Sequence, residues 1–151
     1  SVWLLKGIKN MAQGDFTIFN KAKLAILNGV HDFDTDNFKV AFITSTPVVA
    51  QASPTLSDYT ECTAGGNYSS GGFAMTAATT VESGGTATVD FTSNISMAKH
   101  ASNPANVFAA LVYNTSKSSQ ALGWVEVDTS GANGTTGLIS ITWGSNLFTL
   151  A

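Results

Sequence analysis

The chain has 151 residues, 11% of them charged, and a formal net charge of −3; all seven basic residues are lysines. A chain of this length fits one domain and can bury roughly 68–70% of its unfolded surface, so it needs no disulfide. The scattered lysines form no stripe to neutralise phosphates, no apolar run approaches the roughly 18 residues of a membrane helix, and a single cysteine, Cys62, closes no intrachain bridge.

Residues 1–14 read as an N-terminal arm ahead of one domain, 15–151. The apolar block Val2 to Leu5 is shorter than the roughly 7–15 residues of a signal-peptide core and has no charged segment before it. The first ten residues are therefore expected to be an appended or upstream extension, with Met11 resembling a natural start. Residues 15–29, DFTIFNKAKLAILNG, carry the one convincing helical pattern. Phe19, Ala22 and Ile26 recur at helical spacing, Asp15 or Thr17 can cap the start, and Gly29 stands where a C-terminal cap belongs.

The remainder reads as β-structure. Phe38 to Thr44 alternates around Phe38, Val40 and Phe42, and Thr86 to Thr92 places Ala87, Val89 and Phe91 on one face. Val125 and Val127 oppose Trp124, Glu126 and Asp128, while Ile139, Ile141 and Trp143 oppose Ser140 and Thr142. Asn106 to Tyr113 is apolar on both sides, as a central strand is. Turn-formers separate these runs, at Ala64-Gly-Gly-Asn, Ser70-Gly-Gly, Ser83-Gly-Gly, Asn103-Pro and Ser130-Gly-Ala-Asn-Gly. The expectation is a mainly β protein: an antiparallel β-sandwich, jelly-roll-like, with one short N-terminal helix.

The densest chemical candidate is His31-Asp-Phe-Asp-Thr-Asp-Asn-Phe, with Asp32, Asp34 and Asp36 at alternate positions. A calcium loop of the EF-hand type needs glycine at its sixth position and a bidentate glutamate at its twelfth; Asn37 and Ile43 stand there instead. These aspartates are weak metal candidates, and the stretch reads as a turn between Phe33 and Phe38, whose parities differ. His31 and His100 share no close spacing with each other or with Cys62, which makes a poor zinc set. No Gly-x-Ser-x-Gly elbow accompanies the abundant serines. No catalytic residue and no cofactor is expected. Four Asn-x-Ser/Thr sequons, at Asn67, Asn94, Asn114 and Asn133, are close to chance in so Ser/Thr-rich a chain. Trp3, Tyr68, Trp124 and Trp143 could make a sugar-stacking platform, although Trp124 and Trp143 fit better inside or between sheets.

From Met11 onward the order and spacing of the motifs resemble a loose family of small tailed-bacteriophage virion proteins of the decoration or cement type. The likeness runs through the helix with Phe16, Phe19, Asn20, Ala22 and Lys23, then Asp32-Phe-Asp-Thr-Asp-Asn-Phe-Lys-Val-Ala-Phe-Ile-Thr-Ser and the Gly66-Asn-Tyr-Ser-Ser-Gly-Gly turn. It continues with Leu111-Val-Tyr-Asn and closes on Ile141-Thr-Trp-Gly-Ser-Asn-Leu-Phe-Thr-Leu. The resemblance implies a non-catalytic β-sandwich, made in the host bacterial cytoplasm and incorporated in a virion. Its implied partners are the major capsid protein or other virion proteins, and further copies of itself in a homo-oligomer such as a trimer; no nucleic acid and no membrane is expected. Ten extended residues reach up to about 33–36 Å, so Trp3, Leu4, Leu5 and Ile8 of the arm are expected to meet a partner's groove or sheet edge, the alternative being an arm folded back on its own domain or an unstructured extension. A tail, tube or fibre component and a secreted carbohydrate-binding β-sandwich are the alternative readings.

Overall fold

The computed structural model describes residues 13–75, 78–144 and 147–150. The chain is mainly β, every strand pair is antiparallel, and one α-helix is present among the described residues.

The described residues form ten strands: β1 (Thr17–Ile18), β2 (Phe38–Ile43), β3 (Phe73–Ala74), β4 (Ala78–Ser83), β5 (Thr86–Phe91), β6 (Ile95–Met97), β7 (Ala109–Asn114), β8 (Gln120–Glu126), β9 (Ile139–Ile141) and β10 (Phe148–Leu150). The five-stranded sheet runs β1-β8-β7-β2-β3, beside a three-stranded sheet β10-β5-β4 and a two-stranded pair β6-β9. β7 is central and all six of its residues are buried, as its two-sided apolar pattern requires. Its neighbour β2 is buried on both faces too, Ala41 and Ile43 included. The smaller sheets cover the larger one sandwich-fashion, with Phe38 of β2 meeting Phe91 of β5 at 5.8 Å and Phe91 meeting Trp143 at 5.6 Å.

The helix, α1 (Asn20–Leu27), is shorter than the expected span of 15–29. Residues 14–19 take another partner. Gly14 N–H donates to Glu126 at 2.8 Å, Thr17 and Ile18 pair with Trp124 and Gly123, and Phe19 N–H donates to the Leu122 carbonyl at 3.1 Å. The extended segment closes the edge of β8, which a helix there would leave unpaired. Neither Asp15 nor Thr17 caps the helix: Phe19 is the N-cap residue, without a side-chain bond. Its C-terminus follows expectation. Gly29, at φ 69°, donates to Ile26 at 3.1 Å and Val30 donates to Ala25 at 2.8 Å, the paired bonds of a Schellman stop.

The outer edges of β8 and β2 are both covered. β3 protects only Lys39 and Val40, and beyond it a loop takes over. The Tyr68 hydroxyl accepts from Phe42 N–H at 2.9 Å while Cys62 N–H donates to the Phe42 carbonyl at 2.8 Å. The Tyr68 ring stacks on Phe42 at 5.3 Å, and its hydroxyl donates to Glu61 at 2.8 Å. The two-stranded pair is finished by a side chain, since Gln13 exchanges bonds of 2.6 and 2.7 Å with the backbone of Thr142.

Candidate functional site

The polar residues buried among the described ones are His31, Asp36, Asn103 and Asn114, and three of the four meet at one place. The stretch from His31 to Asn37 does form a turn. Asp36 N–H donates to the Asp32 carbonyl at 2.9 Å, Asp34 N–H to the Asp32 carboxylate at 2.9 Å, and Asp32 N–H to the Asp36 carboxylate at 2.9 Å. Asp32 and Asp34 stay exposed while Asp36 turns inward beneath the end of β7. There the Asn114 amide nitrogen donates to Asp36 Oδ2 at 2.7 Å and to His31 Nδ1 at 3.1 Å, and Asn114 Oδ1 accepts from Ser116 N–H at 3.0 Å. Lys117 Nζ lies 3.8 Å from Asp36.

Burial works against the charge on Asp36, but the Asp32 N–H, the Asn114 amide and the Lys117 ammonium outweigh it and hold its carboxyl below the ordinary value. The Asp32 carboxyl is lowered as well, by bonds from the Thr35 hydroxyl and the Asp34 N–H. Burial lowers His31, with Asp36 opposing and Lys117 reinforcing the effect, so the imidazole is neutral at neutral pH. Since Asn114 donates to Nδ1, the His31 proton sits on Nε2, which is buried and has no hydrogen-bond partner.

The arrangement is a clamp. Asn114 stands between the imidazole and the carboxylate, so they do not form a hydrogen-bonded acid–base dyad. A cleft of about 340 Å³ opens between α1 and the Ser53–Thr55 segment, bordered by Lys21, Leu24, Asn28, His31 and Gln120, with no carboxylate or thiol among the described residues of its wall. Among the described residues no group of three or more His, Cys, Asp or Glu side chains is placed to hold a metal ion.

The other candidates lie apart. Cys62 is buried, its thiol 3.7 Å from the Asn106 carbonyl, and burial together with the neighbouring Glu61 pushes it up to about 12. His100 belongs to an exposed turn, where its Nδ1 accepts from Ser102 N–H at 3.1 Å. Beside it Asn103 makes a second clamp, donating to Ala98 and Gly134 at 2.8 and 3.1 Å and accepting from Asn67 N–H at 2.7 Å. Tyr68, Trp124 and Trp143 are all buried, so they form no exposed sugar-stacking row. Asn114 is wholly buried and closed to a glycan in the folded chain. Trp3, Leu4, Leu5 and Ile8, the expected partner contacts, lie outside the described residues.

Exposed apolar side chains were less legible. Leu24 and Leu27 share the outer face of α1, at 50% and 80% exposure. Val48 and Val49, also exposed, sit on a loop tied to the start of that helix by a 3.0 Å bond from Asn20 N–H to the Val49 carbonyl. Comparison with protein-family models, with curated proteins and with solved structures finds no match to this chain.

Proposed function

We propose that this chain is a non-catalytic structural protein of a tailed-bacteriophage virion, a decoration or cement protein that binds the major capsid protein lattice. The observation that carries the reading is the order and spacing of its motifs from Met11 to the C-terminal Trp-Gly-Ser-Asn-Leu-Phe run. The fates of the ionisable groups support it. Asp36 and His31 are committed to a clamp, Cys62 is a buried and protonated thiol, and His100 closes a turn. The apolar outer face of α1, with Val48 and Val49 beside it, is the kind of surface that docks on another protein. On a lattice built from many copies, modest individual contacts of this kind hold through multivalency.

Electron microscopy and quantitative mass spectrometry of the particle that contains the protein test the reading. A regular lattice of copies on the capsid shell is the expected result. Density confined to the tail moves the protein to a tail or fibre role, and absence from any particle overturns the proposal.

A further inference from the structure

The edges of the sheets are unequal. β1 and β3 are two residues long, and β6, β9 and β10 are three. Residues 14–19 and the loop through Cys62 and Tyr68 close the long central strands. β4 is different. It is six residues long, pairs with β5 alone among the described residues, and is exposed at every position after Ala78. Its sequence, Ala-Thr-Thr-Val-Glu-Ser, has no proline and no lysine, and its register with β5 is unbroken. Short strands, charged side chains, prolines and bulges are the usual devices that keep an edge from pairing, and of these β4 has a single charge, Glu82.

The hairpin turn fixes which groups point outward. Gly84 and Gly85, at φ 60° and 85°, make a two-residue turn of the primed kind between Ser83 and Thr86. Ser83 and Thr86 are then a hydrogen-bonded pair, and the alternation of an antiparallel ladder extends this to Val81 with Thr88 and Thr79 with Asp90. Ala78, Thr80 and Glu82 accordingly turn their N–H and C=O groups away from β5, toward the open side.

We infer that β4 pairs antiparallel with β4 of a second copy about a twofold axis at Thr80, joining two three-stranded sheets into one of six strands. In that register Thr80 meets Thr80 and Ala78 meets Glu82, so all three outward-facing residues exchange bonds, roughly six in total. Thr79 then lies beside Val81 of the other copy, an apposition of β-branched side chains on the outer face. The register suits the charges, because Glu82 faces Ala78 and not its own counterpart. Its carboxylate is already bonded to Gly85 N–H at 2.8 Å. The edge also brings exposed apolar surface, with Val81 at 58% exposure. A strand pair is smaller than the roughly 1,600 Å² of a standard stable interface, so the dimer dissociates on dilution. The inference goes beyond the virion reading and stands whatever particle the protein enters.

Sedimentation of the full chain from low micromolar to millimolar concentration, with Thr80→Pro beside it, is the test. The parent is expected to shift from monomer toward dimer, while Thr80→Pro stays monomeric with an unchanged circular dichroism spectrum, since Thr80 N–H serves no bond among the described residues. Thr80→Cys guards against a misfolded proline variant: with Cys62 buried it carries the one accessible thiol, and a short bismaleimide should link it into dimers that Ser130→Cys does not form. A parent that stays monomeric with no Thr80→Cys cross-link, or a dimer that survives Thr80→Pro, overturns the inference. So does protection of the Thr80 and Glu82 amides from hydrogen exchange in the monomer, which would mean that the chain covers this edge itself.

Discussion

The side-chain amide of Asn114 donates to the carboxylate of Asp36 at 2.7 Å, across 78 residues of sequence. With its second hydrogen on His31 and its oxygen accepting from Ser116, Asn114 uses both of its donors, and it is wholly buried. Asn114→Ala is expected to cost about 2–4 kcal/mol, because it strands both a buried carboxylate and an imidazole nitrogen. Asp36→Ala should cost a comparable amount. In urea unfolding, the double variant should fall short of the two single losses added together by about 1–3 kcal/mol, the signature of a shared bond.

The same cluster sets a pH response. His31 titrates below its ordinary value of 6.5 in the fold because of burial, so as pH falls through that value the unfolded chain takes up a proton that the folded chain refuses. Stability is therefore at its full value above that pH and declines below it. Asp36 and Asp32 add a second decline. Their carboxyls are held below the ordinary 3.8, so their contribution is complete above that pH and is lost on further acidification. Urea midpoints taken from about pH 8 to about pH 3 should show both steps. His31→Gln, which keeps an acceptor near Asn114 but does not titrate, should abolish the upper step and retain the lower one.

Calcium should do little. The Asp32 and Asp36 carboxylates already accept backbone N–H groups of their own turn, and Asp34 projects to solvent, so a cation would have to displace those bonds to recruit the loop. A ligand held by the native state raises the melting temperature by RT ln(1 + [L]/Kd) worth of stability. Melting in millimolar calcium and again in chelator is expected to give the same midpoint. A reproducible rise in calcium would show that the turn opens to bind it.

Cys62 should be inert in the native state. Its thiol, pushed up to about 12 by burial and by Glu61, is protonated at neutral pH and shielded from reagents. A disulfide reagent in excess is expected to leave it unmodified over hours, and to react stoichiometrically once urea is added. Fast native labelling would mean that the loop covering β2 opens readily.

The strands whose partners lie on one face were legible because alternation is local: Ile139, Ile141 and Trp143 are buried while Ser140 and Thr142 are exposed, as their pattern implies. In β8 Val125 and Val127 are buried on one face, and Trp124, expected inside or between sheets, is buried on the other, where it packs on Phe19 at 4.8 Å. Ala87 shares a face with Val89 and Phe91 and yet is exposed, because the β4–β5 hairpin runs past the core. The aspartate run announced a turn through its side chains' preference for nearby backbone. That Asp36 alone would turn inward to meet Asn114 depends on a contact between distant segments, which local pattern does not encode.

The helix start shows how a distant residue decides a local structure. Phe16 and Phe19 are spaced as well for a helix as for an edge segment, and what favours the edge is Gly123 in β8. A Cβ there would run into the Thr17 carbonyl oxygen and the Phe16 ring. The glycine lets residues 14–19 close on β8, and a larger residue must push them away. Gly123→Ala is expected to cost about 1–3 kcal/mol, the range for a side chain forced into packed space. The loss should be local. Hydrogen exchange at Gly14 and Phe19, whose amides bond to Glu126 and Leu122, should speed up markedly, while Leu111 in the central strand keeps its protection. Equal acceleration at all three amides would mean that residues 14–19 are integral to the sheet's stability and do not detach on their own.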